Sequence, residues 1–226
     1  MTKVNLASPS PREVELPYVE FAYNVEVQYY LPQPENNPER TFTDILSARR
    51  TKRTFNPVSQ QRLISLLWLS AKASIVNTPS EPRWQHRPTP SAGGKHPVDL
   101  LIFPNGPTEK AGYVYDSVSH VLSLLKITDG KSLEQFFSAV DQVVAIERAT
   151  IIWLIAQFDR TLSKYENGES LVWRDAGALL STVSLVAEYL NLNCCALGIT
   201  GEPFISRILD SQDKVIGVGG LLLGEP

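Results

Sequence analysis

The chain is poor in the residues that build covalent and metal-based frameworks. Its two cysteines, Cys194 and Cys195, are neighbours. Adjacent residues reach ordinary disulfide geometry only with a strained peptide, so the pair predicts a reducing compartment and a cytoplasmic protein. The three histidines, His86, His96 and His120, include no pair at helical ligand spacing, and no metal site is expected. No run of about 18 apolar residues occurs, so no membrane association is expected. The opening Met1-Thr2-Lys3-Val4-Asn5-Leu6 also lacks the apolar core of a signal peptide. The absence of a Gly-x-Ser-x-Gly elbow and of a Walker loop argues against hydrolase and nucleotide triphosphatase readings. Positive charge is not in excess, with 21 Lys and Arg against 24 Asp and Glu and a net charge of -3. Nucleic acid and anionic membranes are therefore not expected as partners, and any anion site must be local.

What is present suits a folded domain of generous size: 226 residues, 43% hydrophobic and 9% aromatic. Of the 16 prolines only Pro203 and Pro226 lie beyond Pro107, so the first half reads as loop-rich and the second as regular. Residues 1–40, with Pro9, Pro11, Pro17, Pro32, Pro34 and Pro38 around an aromatic patch from Tyr18 to Tyr30, read as an N-terminal arm. It is expected to pack on a body, that of residues 41–226 or that of a partner. Ser59 is placed to cap a helix carrying Leu63, Leu66, Leu67 and Ala71, and Asn77 to Pro97 reads as a long loop.

Val98 to Phe103 reads as a buried strand, and Gly112–Tyr115 with His120–Leu125 as a hairpin. Further along, Ser132 to Ile146 is predicted helical and the β-branched run Thr150 to Ala156 a central strand. Ser170 to Leu192 is predicted as a long helix; its Gly177 lowers helix stability and suggests a close approach to the backbone there. Strands at Cys195–Ile199 and Val215–Leu223 then flank a short helix at Pro203–Leu209. Strands and helices do not alternate strictly, so the class is α+β. Gly217, Gly219 and Gly220 are followed by no helix, which favours a closely approached strand over a dinucleotide turn.

Two segments carry chemistry. Arg49-Arg50-Thr51-Lys52-Arg53 places four cations in five residues of an acidic chain. If it runs extended, Arg49, Thr51 and Arg53 share one side, where two guanidiniums and a hydroxyl form a cage for a phosphate monoester. The alternative is a solvated basic helix end, which also suits the helix dipole. The second segment is Pro90-Ser91-Ala92-Gly93-Gly94, where consecutive glycines let main-chain amides approach a flat ligand.

Together these segments resemble the nitroreductase-like flavin family, and more closely its SagB-type dehydrogenase branch. Arg49, Thr51, Arg53 and Phe55 match the branch's Arg-x-Ser-x-Arg before Phe, with Thr for Ser. Pro90 to Gly94 match its Pro-Ser-Ala-Gly-Gly loop. Gly112 to Tyr115 followed by His120 to Leu122, the pair Lys164-Tyr165, and Asp175-Ala176-Gly177 match three further motifs. The chain departs from the branch at Ala178, Ser181 and Thr182, where a His and a Gln-Asn or Glu-Asn pair are common.

The resemblance implies a central mixed sheet wrapped by helices, an intertwined homodimer, and FMN bound by residues 41–226 at sites built from both chains. Arg49, Arg50, Thr51 and Arg53 would serve the phosphate, Pro90, Ser91, Ala92, Gly93 and Gly94 the ring, and Gly177 would also face the cofactor. In this branch thiazoline or oxazoline rings of a ribosomally made precursor peptide are oxidised to azoles beside a cyclodehydratase, with Lys164 and Tyr165 as the catalytic pair here. Burial would favour the neutral amine that a Lys base requires. Two other functions share the fold: a nicotinamide-dependent reductase of nitro compounds or quinones, and a non-catalytic partner in a peptide-modifying complex.

Overall fold

The computed structural model describes residues 7–34, 38–76 and 84–226. The chain runs β1 (Ser10–Pro11), β2 (Val25–Tyr30), α1 (Phe42–Ala48), α2 (Gln60–Ala71), β3 (Ser74–Val76) and β4 (Trp84–His86). It continues through β5 (Val98–Phe103), β6 (Tyr113–Asp116), β7 (Val121–Leu125), α3 (Gly130–Asp141), β8 (Thr150–Ala156) and α4 (Phe158–Leu162). It closes with β9 (Tyr165–Glu166), α5 (Glu169–Tyr189), β10 (Asn193–Leu197), α6 (Phe204–Ile208) and β11 (Ile216–Gly224). Seven strands form the central sheet in the order β10-β11-β8-β5-β6-β7-β2, and β1 pairs with β9 and β3 with β4 in two small ribbons. The α+β class is as expected. The sheet, however, is not mixed: every pairing among the described residues is antiparallel, because hairpins and antiparallel returns join its strands and no βαβ crossover occurs.

The β-branched run of β8 is buried along its whole length, as befits a strand covered on both faces. Side chains alternate across the sheet. Leu100, Ile102, Ile152 and Leu154 pack with Leu66, Leu67, Val172 and Val183 of α2 and α5. Leu101, Phe103, Ile151 and Trp153 face the other way, onto Phe136 and Val140 of α3 and Ile205 of α6. Each such side chain contributes about 1.5–3 kcal/mol by leaving water. Two of the three glycines singled out in β11 are closely approached: a Cβ at Gly217 would strike the Thr200 carbonyl, and one at Gly220 the Trp153 indole, whereas one at Gly219 would lie 3.9 Å from the Leu197 carbonyl.

Boundaries shift where local hydrogen bonds compete. α1 opens with a capping box in which Thr41 and Asp44 exchange bonds. α3 is capped by Asp129, which accepts from the Ser132 amide at 2.9 Å, and it ends at Asp141, short of Ile146, because the Asp141 carboxylate takes the Ile146 amide at 2.9 Å. Ser59 occupies the N-cap of α2 without a side-chain cap bond; its own amide donates to Glu225 at 3.0 Å. The loop expected from Asn77 to Pro97 contains β4, and its residues 77–83 lie outside the described residues. The N-terminal segment lies on the body of its own chain: β2 forms one edge of the large sheet through β7, and β1 pairs with β9.

Candidate functional site

α1 ends at Ala48 and Arg49 leaves it in an extended conformation, φ -51° and ψ 120°. The segment that follows lies along β10, held by the Lys52 amide on the Cys194 carbonyl at 3.1 Å and by the Asn193 side-chain amide on the Thr54 carbonyl at 2.8 Å. Arg49, Arg50, Thr51 and Arg53 are all exposed, and the half-buried Lys52 pairs with Glu188 at 3.6 Å, a buried carboxylate also bound by Arg40 at 3.0 Å. Neither Arg49 nor Arg53 has an ion-pair partner among the described residues. Arg50 turns back and donates to the Ser47 and Arg49 carbonyls at 2.9 and 2.8 Å.

The Pro90–Gly94 loop is built at the other end of α5. Asp175 accepts from Ser91 Oγ at 2.5 Å and from the Ala92 amide at 3.2 Å, and Ser91 Oγ in turn accepts from the His96 amide at 2.8 Å. Burial raises the Asp175 carboxyl pKa against the lowering effect of these bonds. Gly93 and Gly94 sit at φ 60° and 67°, the left-handed region that glycine occupies without strain.

Lys164 and Tyr165 follow α4 directly and precede the long helix, on an irregular stretch ending in β9. On one regular helix their side chains would diverge by about 100°; here both reach Gly93. A Cβ built on Gly93 would lie 2.8 Å from Tyr165 Oη and 3.1 Å from Lys164 Nζ, and Lys164 Nζ donates to the Gly93 carbonyl at 3.4 Å. The N-terminal arm laces this stretch down. The Arg12 amide donates to the Lys164 carbonyl at 2.8 Å and the Leu16 amide to the Ser163 carbonyl at 2.9 Å. Arg12 Nε reaches the Leu162 carbonyl at 3.0 Å.

Thus the structure brings Ser91–Gly94, Lys164 and Tyr165 together, and it places Arg49, Thr51 and Arg53 elsewhere. Asp175 anchors the first group and Glu188 the second. They stand 13 residues apart on α5, roughly 20 Å at helical rise. Gly177 is exposed between them, and a Cβ there would meet nothing within 4 Å, so the close approach expected at its backbone is not made by this chain. Thr182, one of the departures from the branch, spends its hydroxyl on the Ala178 carbonyl at 2.9 Å.

A cavity of about 610 Å³ opens beside Gly93 and Lys164, walled on one side by Glu15, Tyr18, Glu20, Phe21 and Tyr23 of the arm. Its floor is a polar network that sequence reading missed. Asp99 binds Arg160 through both oxygens at 2.8 and 3.0 Å, and accepts from Tyr23 Oη at 2.8 Å and Gln157 at 3.1 Å. Burial works against the Asp99 carboxylate, yet the adjoining Arg160 guanidinium prevails and holds the pKa below its ordinary value. The signal was a lone Asp in the apolar run Val98–Phe103, since a buried charge demands a partner. His96, buried at the cavity edge, has its pKa pushed down to about 4, by burial first and by the Arg87 charge second.

The nitroreductase family matches residues 46–224. No curated protein matches the sequence. Among solved structures, a protein assigned as a nitroreductase in Ralstonia eutropha JMP134 aligns over 97% of this chain and 98% of its own, with 18% identity and a TM-score of 0.63. The Escherichia coli microcin synthetase McbBCD complex, solved with truncated pro-MccB17 bound, contains a chain that aligns over 90% of this one and 79% of its own, with 16% identity and a TM-score of 0.61. A further nitroreductase-type protein, from Anabaena variabilis ATCC 29413, aligns over 85% of this chain and 40% of its own, with 21% identity and a TM-score of 0.58. At these identities the structures speak for the fold, while the family match covers most of the chain: this protein belongs to the nitroreductase family of flavin-dependent oxidoreductases.

Proposed function

We propose that this protein is an FMN-dependent dehydrogenase of the SagB-type branch, oxidising thiazoline or oxazoline rings of a precursor peptide to azoles. The observation that carries the reading is the convergence of Lys164 and Tyr165 on Gly93; of the pair, Lys164 lines the cavity together with Gly93, while Tyr165 stands behind Gly93, outside the lining. The convergence gives two proton-handling side chains a common target next to the loop expected to face a flavin. A nitroreductase-fold neighbour from a peptide-bound synthetase complex is in keeping with it.

The residues present fit FMN as two halves. Arg49, Thr51 and Arg53 offer two guanidiniums without ion pairs among the described residues and a hydroxyl, the donor set of a phosphate cradle. The Ser91–Gly94 backbone, with its left-handed glycines, suits a flat ring. Separation of the halves by roughly 20 Å along α5 supports a homodimer in which a second copy completes each site. When bound, FMN supplies a two-electron acceptor for the hydride. Aromatisation breaks two ring C–H bonds and forms one C=C bond; the carbon derived from Cα releases a proton and its neighbour the hydride. Lys164 takes that proton at Nζ, and Tyr165 Oη orients the ring. The arm wall excludes water from one side.

The test uses a cyclised peptide and mass spectrometry, counting the loss of two hydrogens per ring. Lys164→Ala and Tyr165→Phe are expected to retain FMN and the dimer while the chemical step slows by about 10²–10⁴-fold. Wild-type rates in both variants would remove the pair from catalysis. Oxidation of NADPH by a protein inert toward azolines would turn the reading to a nitro or quinone reductase.

A further inference from the structure

Arg87 follows β4 and lines the same cavity, but the proposed reaction does not use it. Its side chain is pre-oriented: Nε and Nη2 both donate to Gln85 Oε1, at 3.3 and 2.8 Å. A guanidinium has five N–H donors in a planar fork. Gln85 takes two on one edge; among the described residues this leaves both hydrogens of Nη1 and the second of Nη2, and one hydrogen from each nitrogen forms the end-on pair that grips a carboxylate.

The carboxylates around the cavity are committed elsewhere. Asp99 serves Arg160, Tyr23 and Gln157. Glu15 pairs with Lys95, and Glu20 lies 3.3 Å from Arg160 Nε. Asp116 accepts from the Val118 and Ser119 amides at 2.8 and 3.2 Å. Arg87 forms no ion pair among the described residues; Asp99 and Asp116 act on it only through space. A partly desolvated cation that contacts no counter-ion among the described residues is costly unless a ligand supplies one.

We infer that Arg87 is a carboxylate-binding subsite of the cavity, recognising an acidic group on the ligand whose ring meets Lys164. The inference rests on the proposed use of this cavity for an azoline peptide and adds to it a preference for a carboxylate beyond the ring. An acidic side chain of the peptide and its free C-terminus present the same chemistry.

The subsite is tested by calorimetric titration of the FMN-loaded protein with thiazole-4-carboxylate and thiazole-4-carboxamide, neither of which requires turnover. The carboxylate is expected to bind about 10–100-fold more tightly than the amide, as one charge-assisted contact dictates. Arg87→Gln should abolish the difference, and Arg87→Lys, which keeps the charge and loses the fork, should retain part of it. Equal binding of acid and amide by the wild type overturns the subsite without any variant needing to fold. So does an undiminished preference in a folded Arg87→Gln, or binding of neither compound. If NADPH binds and Arg87→Gln weakens it while neither thiazole compound does so, the anion is a phosphate and the carboxylate assignment fails.

Two pairs of cyclised peptides then separate the sources: one pair ends in acid or amide, the other carries Glu or Gln after the ring. An effect of Arg87→Gln on KM is expected within one pair, and its absence from both overturns the subsite. Loss of azoline oxidation with the acid preference intact would overturn the proposed reaction and leave the subsite standing.

Discussion

Placing alanine at Gly93 separates the stability of the loop from the chemistry proposed at its rim. Gly93 sits at φ 60° and ψ 18°, where an L-residue with a Cβ costs about 1–2 kcal/mol. The mutant's less flexible unfolded chain returns about 0.4–1 kcal/mol, leaving a net loss near 1 kcal/mol. The new methyl would lie 2.8 Å from Tyr165 Oη, 3.0 Å from Lys164 Cδ and 3.1 Å from Lys164 Nζ. Ordinary contact is about 3.5–4.0 Å, so both side-chain ends must retreat by roughly 0.5–1 Å. These are the far ends of flexible side chains, so the fold survives. A reacting group displaced by about 1 Å slows chemistry on the order of 10²-fold. Gly93→Ala is therefore predicted to melt only about 2–4 °C lower while dehydrogenation slows about 10²-fold. Rapid-mixing absorbance of the FMN-loaded variant with a cyclised peptide reads the rate, and calorimetry the stability. Dehydrogenation at the wild-type rate in the folded variant would refute the placement of Lys164 and Tyr165 over Gly93.

We predict that Arg49→Ala and Arg53→Ala each weaken FMN retention by about 1.5–3 kcal/mol; unchanged affinity in both, by equilibrium dialysis, would make the segment a solvated basic end. Sedimentation equilibrium should find a homodimer when FMN is bound, and a monomer that keeps FMN would contradict a site shared between two copies. Arg12→Ala, which removes the bonds to the Leu162 carbonyl and to Glu166, should cost about 1 kcal/mol in denaturant melts and lower kcat with flavin content unchanged; an unaltered kcat would confine the arm to a structural role. Because the folded His96 has a pKa of about 4, below its unfolded value near 6.5, its contribution to stability is full above pH 6.5 and is lost as pH falls toward 4. His96→Gln should flatten stability across that window, and an unchanged slope would show that His96 is not what titrates.

Local pattern made much of the architecture legible. β-branched residues from Thr150 to Ala156 specify a doubly covered strand because branching suits a pleated, buried surface. Tyr113–Asp116 and Val121–Leu125 pair as a hairpin since alternation and a turn fix their register. For Arg49, Thr51 and Arg53 two-residue periodicity predicts a shared side, and all three are exposed, as are their neighbours Arg50 and Thr54. Helix ends were less legible: a competing bond such as the one from the Ile146 amide to Asp141 does not alter the apolar period on which a helix is predicted.

The amino-acid sequence by itself determined the class, the family and most of the strands and helices beyond Ser59, because these depend on neighbours a few positions apart. Only the tertiary structure decided which segments meet. Asp175 closes on Ser91 across 84 positions, the arm binds residues 162–166 across about 150, and Asp99 finds Arg160 across 61. The same structure sets Arg49–Arg53 and Ser91–Gly94 at opposite ends of α5. Contacts of that range are chosen by which faces the sheet and helices bury together, and residue spacing along the chain carries no record of that choice.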